Sequence, residues 1–363
     1  MLQSVRIYDT FLFDGELDLL DHRLRQNLDA TDVFVLIEAA ETYRGRAKPL
    51  VFAENRERFA WAAHKIRAIQ LNSLGTQQAS ARARAEVQRN VLLMALQDAH
   101  ERDVILILDA DEIPSLTVLE ALRTHGLTKP CRLEMTRHYQ RLNLLAPAST
   151  CCVDPNQPFA FAAGHPRPES WNPGALWSGR SGVAAPFDSL KGSDGMTPFR
   201  LRFGGEIEGG MPNAGRHLTA VDPTAHLARK LGRVFHAEWA TDRGVYPPHL
   251  TRCEEHAVHH RGWWYAEFVP GELPADLASL AAVCPAALRS EGLPPMWRRR
   301  CVRTWAWLRQ SRLLGDSVIK RIDDHFSSLM PWLAAVLLPM DGARFLAGEV
   351  LRGGHKKRRG VGT

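Results

Sequence analysis

Three carboxylates fall within four positions at Asp109-Ala110-Asp111-Glu112, directly behind the apolar run Val104-Ile105-Leu106-Ile107-Leu108 and ahead of Ile113-Pro114. An unbroken aliphatic run of this kind is what a central parallel strand needs when helices cover both of its faces. In open α/β sheets the carboxyl ends of such strands open into the ligand crevice. Side chains two apart on an extended segment point the same way. Asp109 and Asp111 are therefore expected to share one divalent cation and hold it against a diphosphate, with Ala110 turned to the scaffold. Pro114 is expected to stop the strand. The competing account is a solvated acidic turn, which has no need of three carboxylates behind a buried strand.

The elements that must position this cluster are legible ahead of it. Val5 to Tyr8 reads as a first strand, and Phe13-Asp14-Gly15 as a turn. Leu17, Leu20, Leu24 and Leu28 then recur at helical spacing, with Asp18, Asp21, Arg23 and Arg25 assigned to the other faces. Val33 to Ile37 is a second buried strand ending on Glu38, Asn55 to His64 reads as helical, and Ile66 to Leu71 as a third strand. A long helix over Ala79 to His100, buried through Val87, Val91 and Met94, is expected to deliver the chain to the acidic strand. Strand and helix alternate through residue 114, which predicts a doubly wound nucleotide-binding half over 1–124. Residues 125–265 form an acceptor half. It begins with a strand from Cys131 to Tyr139, continues as a Gly-, Pro- and Trp-bearing irregular stretch over 143–215, and reaches a helix from Ala220 to Val234. Beyond it, 271–363 reads as a basic helical extension with helices at Trp297–Arg312 and Asp316–Phe326 and a disordered tail.

Composition sets bounds rather than a function. Hydrophobic content of 45% and charged content of 24% are those of a globular chain, which excludes disorder of the whole. The formal charge of +6 suits a phosphate-bearing or anionic partner, but much of it lies beyond Met296. Six cysteines without C-x-x-C spacing read as reduced thiols. No apolar signal region or membrane-spanning run is present, so a cytoplasmic protein is expected, with peripheral membrane contact through the Trp- and Arg-bearing helices near 297–312. The tail His355-Lys356-Lys357-Arg358-Arg359 lacks interleaved aromatics, and no nucleic-acid partner is expected.

Several motifs in one order carry a resemblance. Asp9 to Leu20, Val35-Leu36-Ile37-Glu38, Thr42-Tyr43-Arg44-Gly45 with Lys48-Pro49-Leu50, and Asp109 to Pro114 resemble family 17 glycosyltransferases. The likeness resumes at Asn213 to Thr219, where Arg216 stands in place of the family's usual Trp, and at Phe235-His236-Ala237-Glu238. The resemblance implies a GT-A-like mixed sheet, a UDP-sugar donor carrying N-acetylglucosamine, a Mn²⁺ or Mg²⁺ ion, and inversion at the anomeric carbon. The acceptor it implies is a glycan, glycoprotein or glycolipid.

Roles follow from that chemistry. The departing nucleoside diphosphate gathers negative charge that a cation bridging its phosphates neutralises. Asp111 is the expected direct ligand, with Asp109 on the metal or on the ribose. Glu112 is either an orienting carboxylate behind them or a helix-start residue. Mn²⁺ accepts imidazole as well as oxygen, and His217 is the expected completing ligand ahead of His236. Glu38 is a candidate for uracil or ribose. Arg89, in the charged cluster Arg84-Glu86-Arg89-Asn90, is a candidate for phosphate, with a weaker candidate in Lys48. Inversion needs a base for the acceptor hydroxyl, and Glu238 is favoured over Glu206, Glu208 and Asp222. Trp171, Trp177 and Trp239 are candidates for stacking on the acceptor sugar. Two other readings remain: a nucleotidyltransferase using the same acidic site, and a non-enzymatic glycan- or nucleic-acid-binding protein acting through the basic carboxyl-terminal region.

Overall fold

The computed structural model describes residues 5–145, 178–191, 196–203, 207, 210–219, 221, 247–255, 267–268, 273–284, 293–310 and 314–340. Strand β1 (Ile7–Leu12) leads through helix α1 (Leu17–Asn27) to β2 (Val33–Ala39), and short helical turns lead on to β3 (Ile66–Leu71). Helix α2 (Ala81–Asn90) precedes β4 (Val104–Asp109). These four strands are parallel, in the spatial order β3-β2-β1-β4. In β2 and β4 every residue is buried except half-buried Asp109, the outcome expected of aliphatic runs covered on both faces.

The sheet then turns mixed and curls. Following β5 (Glu112–Pro114), helix α3 (Leu116–His125), β6 (Cys131–Tyr139) and β7 (Arg141–Leu145), strand β8 (Ser178–Pro186) inserts antiparallel between β4 and β6. Helix α3 shows why its ends fall where they do. Ser115 Oγ accepts from Val118 N at 3.4 Å at the start, and Gly126, at φ +66°, closes the end with its N–H on Leu122 O. After α4 (Pro198–Phe203) and β9 (Gly210–Met211), strand β10 (Gly215–Thr219) runs parallel to β6 and antiparallel to β5. This branch brings chain from beyond residue 200 to the acidic cluster.

Five carboxyl-terminal helices and one short strand complete the described chain: α5 (Pro247–Glu255), β11 (Glu267–Phe268), α6 (Ala275–Val283), α7 (Met296–Gln310), α8 (Asp316–Asp324) and α9 over 326–340. Their packing does not follow the boundary expected at 265–271. Helix α6 lies on α1, where Leu277, Leu280 and Ala281 join a core with Leu19, Ile113 and Leu218. Helix α5 instead packs with α7 and α8, its Cys253 among Trp305, Ile319 and Phe326. In the Trp- and Arg-bearing helix α7, Trp305 and Arg309 are internal, each 1% exposed, whereas Trp297 is exposed with the Arg298 guanidinium 5.3 Å from its ring centre. Among the described residues no helix is long and apolar enough to cross a membrane.

The long helix expected over 79–100 is a second correction. It ends at Asn90 and a 3₁₀ segment, Val91–Ala95, follows. Its inward face is also different. Val87 and Met94 are exposed, whereas Arg84, Gln88 and Arg89 are buried beside Ala85. Carbonyls of the loop before the helix receive Arg84, and β4 receives Arg89, so hydrophobic periodicity alone points to the wrong face.

Candidate active site

The acidic turn is held from below by a buried ion pair. Arg23 and Asp9, both fully buried, meet through Nε–Oδ2 at 2.8 Å and Nη2–Oδ1 at 2.5 Å. The same guanidinium donates from Nη1 to the carbonyls of Asp109, Ala110 and Glu112 at 3.1, 3.3 and 2.8 Å, and lies 4.2 Å from the centre of the Phe11 ring. Arg23 was expected on an outer face. Its place three after Leu20 and one before Leu24 puts it on the buried stripe, which is the sequence signal that reveals it.

The turn itself departs from the expected straight strand. β4 ends at Asp109, and Ala110-Asp111 turn the chain into β5, which Pro114 closes. Ala110 faces the interior as expected. β10 fixes the far side, with His217 opposite Glu112, Gly215 opposite Pro114, and Leu218 N–H on Asp111 O at 2.7 Å. Gly215 is required there. Its φ is +146°, and a Cβ would stand 2.1 Å from Ile113 O. That approach sets His217 Nε2 3.8 Å from Asp111 Oδ1 and Nδ1 3.6 Å from Glu112 Oε1.

Two arginines close on the carboxylates. Arg89, from the last turn of α2, places Nη2 2.5 Å from Asp109 Oδ1 and donates from Nη1 to Leu108 O at 3.0 Å. Arg202, from α4, bridges with Nη2 to Glu112 Oε1 at 2.5 Å and to Asp109 Oδ2 at 3.4 Å. Burial acts to raise the Asp109 carboxyl, but Arg89 and Arg202 together hold it well below the usual carboxylate range. Glu112 is fully buried, and burial, reinforced by Asp109 and Asp111, pushes it up to about 7 against the pull of Arg202. It is a buried strand residue rather than a helix start. Arg202 was missed by the sequence reading because it lies some ninety positions from its partners, as the Arg202–Glu112 separation of 90 shows.

Above these groups opens a cavity of about 300 Å³. Asp109, Asp111, Arg89 and His217 line one part of it, and Asp14, Thr42, Tyr43 and Lys48 another. Lys48 pairs there with Asp14 at 2.6 Å. Phe203, 43% exposed, contributes an aromatic wall, with the Arg89 and Arg202 guanidinium groups 5.4 and 5.6 Å from its ring centre. The structure thus brings Asp109, Asp111, Arg89 and His217 together. It does not bring Glu38. That residue is fully buried, and its carboxylate accepts from the amides of Phe52 at 2.9 Å and Ala53 at 3.4 Å, holding the helical turn at Val51–Glu54. Arg84 likewise serves the preceding loop through the carbonyls of Thr76, Gln77 and Ala79. Glu238, Glu206, Glu208, Asp222, His236, Trp171, Trp177 and Trp239 lie outside the described residues.

The donor set suits a hard divalent cation. Two ligands each roughly 2.1 Å from an ion lie no more than about 4.2 Å apart. Asp111 Oδ1 and His217 Nε2, at 3.8 Å, fall inside that span. Asp109 is adjacent, with its oxygens on the two guanidinium groups. Among the described residues no group of three or more His, Cys, Asp or Glu side chains is closed around a metal position.

No curated protein matches the chain. Residues 2–146 match the model of the family described as Glycosyltransferase family 17. The match spans the four parallel strands, Arg23, Arg89 and the acidic turn, and stops before Arg202 and His217. The amino-terminal part of the chain, as far as β7, is thus similar to glycosyltransferase family 17.

Proposed function

We propose that the protein is a metal-dependent, inverting glycosyltransferase that moves a sugar, N-acetylglucosamine, from a UDP-sugar to a glycan, glycoprotein or glycolipid acceptor. The observation that carries this reading is the meeting of Asp111 and His217, 3.8 Å apart on the wall of a cavity at the carboxyl end of β4, with Asp109 beside them. The strand order β3-β2-β1-β4 continued by antiparallel β8 supports a GT-A-like sheet, in which that end of the strands takes the nucleotide.

Asp111 and His217 would hold Mn²⁺ or Mg²⁺, with Asp109 completing the site. The ion would supply Lewis-acid neutralisation of the departing diphosphate. Arg89, on the cavity wall, binds the phosphates through its guanidinium fork. Arg23 keeps the turn's carbonyls in place, so Asp109 and Asp111 need no rearrangement of their backbone to act. Tyr43 and Phe203 give the nucleoside and sugar apolar walls. Glu238 takes the acceptor hydroxyl proton as the base that inversion demands. Action in the cytoplasm, at a membrane surface when the acceptor is a glycolipid, completes the proposal.

Thermal unfolding with a panel of UDP-sugars, with and without Mn²⁺, tests the reading. A bound donor at a hundredfold excess over its dissociation constant adds about 2.7 kcal/mol of stability. The expected result is stabilisation by one UDP-sugar with Mn²⁺ and slow Mn²⁺-dependent hydrolysis of that sugar. No stabilisation by any of them overturns it.

A further inference from the structure

Arg89, buried on the cavity wall, spends its charge on a carboxylate. Its Nη2 lies 2.5 Å from Asp109 Oδ1, its Nε is buried without a hydrogen-bond partner among the described residues, and Phe203 lies 5.4 Å away along the cavity wall. On the other oxygen of Asp109, Arg202 makes the long contact at 3.4 Å while its short one, at 2.5 Å, goes to Glu112. Arg202 is not on the cavity wall, and Arg89 is. Two carboxylates, Asp109 and Glu112, thus share two guanidinium groups, with Asp111 beside them near His217. A divalent cation arriving alone would meet Asp109 already neutralised by two positive charges close by. A diphosphate arriving alone would meet Arg89 already paired.

We infer that Arg89 exchanges anions: it holds Asp109 until a nucleoside diphosphate takes its place, so that cation and donor bind interdependently, each raising the affinity for the other. Arg202 stays on Glu112, and its long contact to Asp109 parts. The inference rests on the proposed donor reading and deepens it, because it names the residue that couples the two ligands. Coupling of this kind is reciprocal by thermodynamic necessity: the factor by which UDP raises Mn²⁺ affinity equals the factor by which Mn²⁺ raises UDP affinity.

The exchange predicts opposite signs from one substitution. In Arg89→Gln, Mn²⁺ measured alone by electron paramagnetic resonance binds more tightly than to the unsubstituted protein, by about tenfold, because Asp109 is released. UDP measured by calorimetry in saturating Mn²⁺ binds more weakly, again by about tenfold, because its guanidinium is gone. Arg202→Gln also tightens Mn²⁺ alone but leaves UDP affinity within about threefold. If Arg89→Gln fails to unfold cooperatively, Arg89→Lys carries the test. It keeps the charge and loses the fork, so Mn²⁺ affinity stays near that of the unsubstituted protein and UDP affinity falls. Should the substituted proteins move both affinities the same way, or neither, the exchange is overturned while the donor reading stands. Failure of the unsubstituted protein to bind UDP in Mn²⁺ overturns both.

Discussion

Asp109 and Asp323 are each gripped by two arginines, and of this pair only Asp109 faces the cavity. Asp323, in α8, accepts from Arg252 Nη1 at 2.9 Å and Trp305 Nε1 at 2.8 Å on one oxygen, and from Arg309 Nε at 2.8 Å on the other. Its side chain is 1% exposed and its main-chain carbonyl is also taken, by Arg252 Nη2 at 2.8 Å. Asp109 has the same charge pattern, but its side chain is 38% exposed at the wall of the cavity. A closed network of this sort has no room for a different partner, so it fixes α5, α7 and α8 to one another. The open one leaves space beside the carboxylate for the proposed exchange of partners. Charge pairing by itself therefore does not mark a functional carboxylate; the space left beside it does.

The sharpest way to break the comparison is to remove each aspartate in turn. Asp323→Ala leaves two buried guanidinium groups without their carboxylate and is expected to cost about 3–5 kcal/mol in urea unfolding. Donor hydrolysis per folded molecule should stay unchanged. Asp111→Asn, beside Asp109, is expected to do the reverse. It should lower sugar transfer by roughly a hundredfold or more, about 3 kcal/mol of barrier, with an unfolding midpoint close to that of the unsubstituted protein. A large stability loss at Asp111, or a large activity loss at Asp323, would erase the distinction between the two networks.

How much of this was legible in the sequence depends on the range of the signal. β3 and β6 have the limits read from their residue patterns, and β2 and β4 are the buried runs that precede carboxylates. Those signals are local and apolar. The errors sit where a polar residue is buried by a distant partner. Arg23 was read as an outer-face residue, and it holds the turn through three carbonyls. Glu38 has the same sequence context as Asp109, a carboxylate ending a buried parallel strand, yet it is spent on two amides of the following turn. No pattern in β2 distinguishes the two, because the difference lies in what the next loop does. Arg202 and helix α6 show the long-range case. Their placement against Glu112 and α1 is fixed by the fold of the intervening chain, which no local window contains.

A smaller perturbation probes how the open site is held. Gly215→Ala puts a Cβ into Ile113 O at a φ that side chains rarely adopt, so β10 must move off β5. The expected cost is about 1–3 kcal/mol of stability. Because His217 sits two residues on, Mn²⁺ affinity should also fall, and a variant that lost stability while keeping Mn²⁺ affinity would show that His217 is not positioned by this contact.

The contrast between closed and open extends to two histidines on adjacent strands, and it supplies the gentlest test. His138, in β6, is fully buried with Nδ1 2.6 Å from Leu142 O, a geometry in which Nδ1–H donates; His217, one strand over, lines the cavity. Burial, with Arg216 adding to it, pushes His138 down to about 3 from an ordinary 6.5. The folded protein therefore favours the neutral ring. Between about pH 6.5 and pH 3 the unfolded chain holds a proton at this position that the folded one does not, so the contribution to stability is complete above that window and is lost as pH falls through it. The slope is about 1.4 kcal/mol per pH unit for one proton. His138→Gln keeps a donor for Leu142 O and removes the titration. Its stability relative to the unsubstituted protein is thus expected to differ least at pH 7.5, and to improve steadily from pH 6 to pH 4 in urea unfolding. A difference that stays constant across that range would mean that His138 titrates alike in both states and that its burial is not closed to protons.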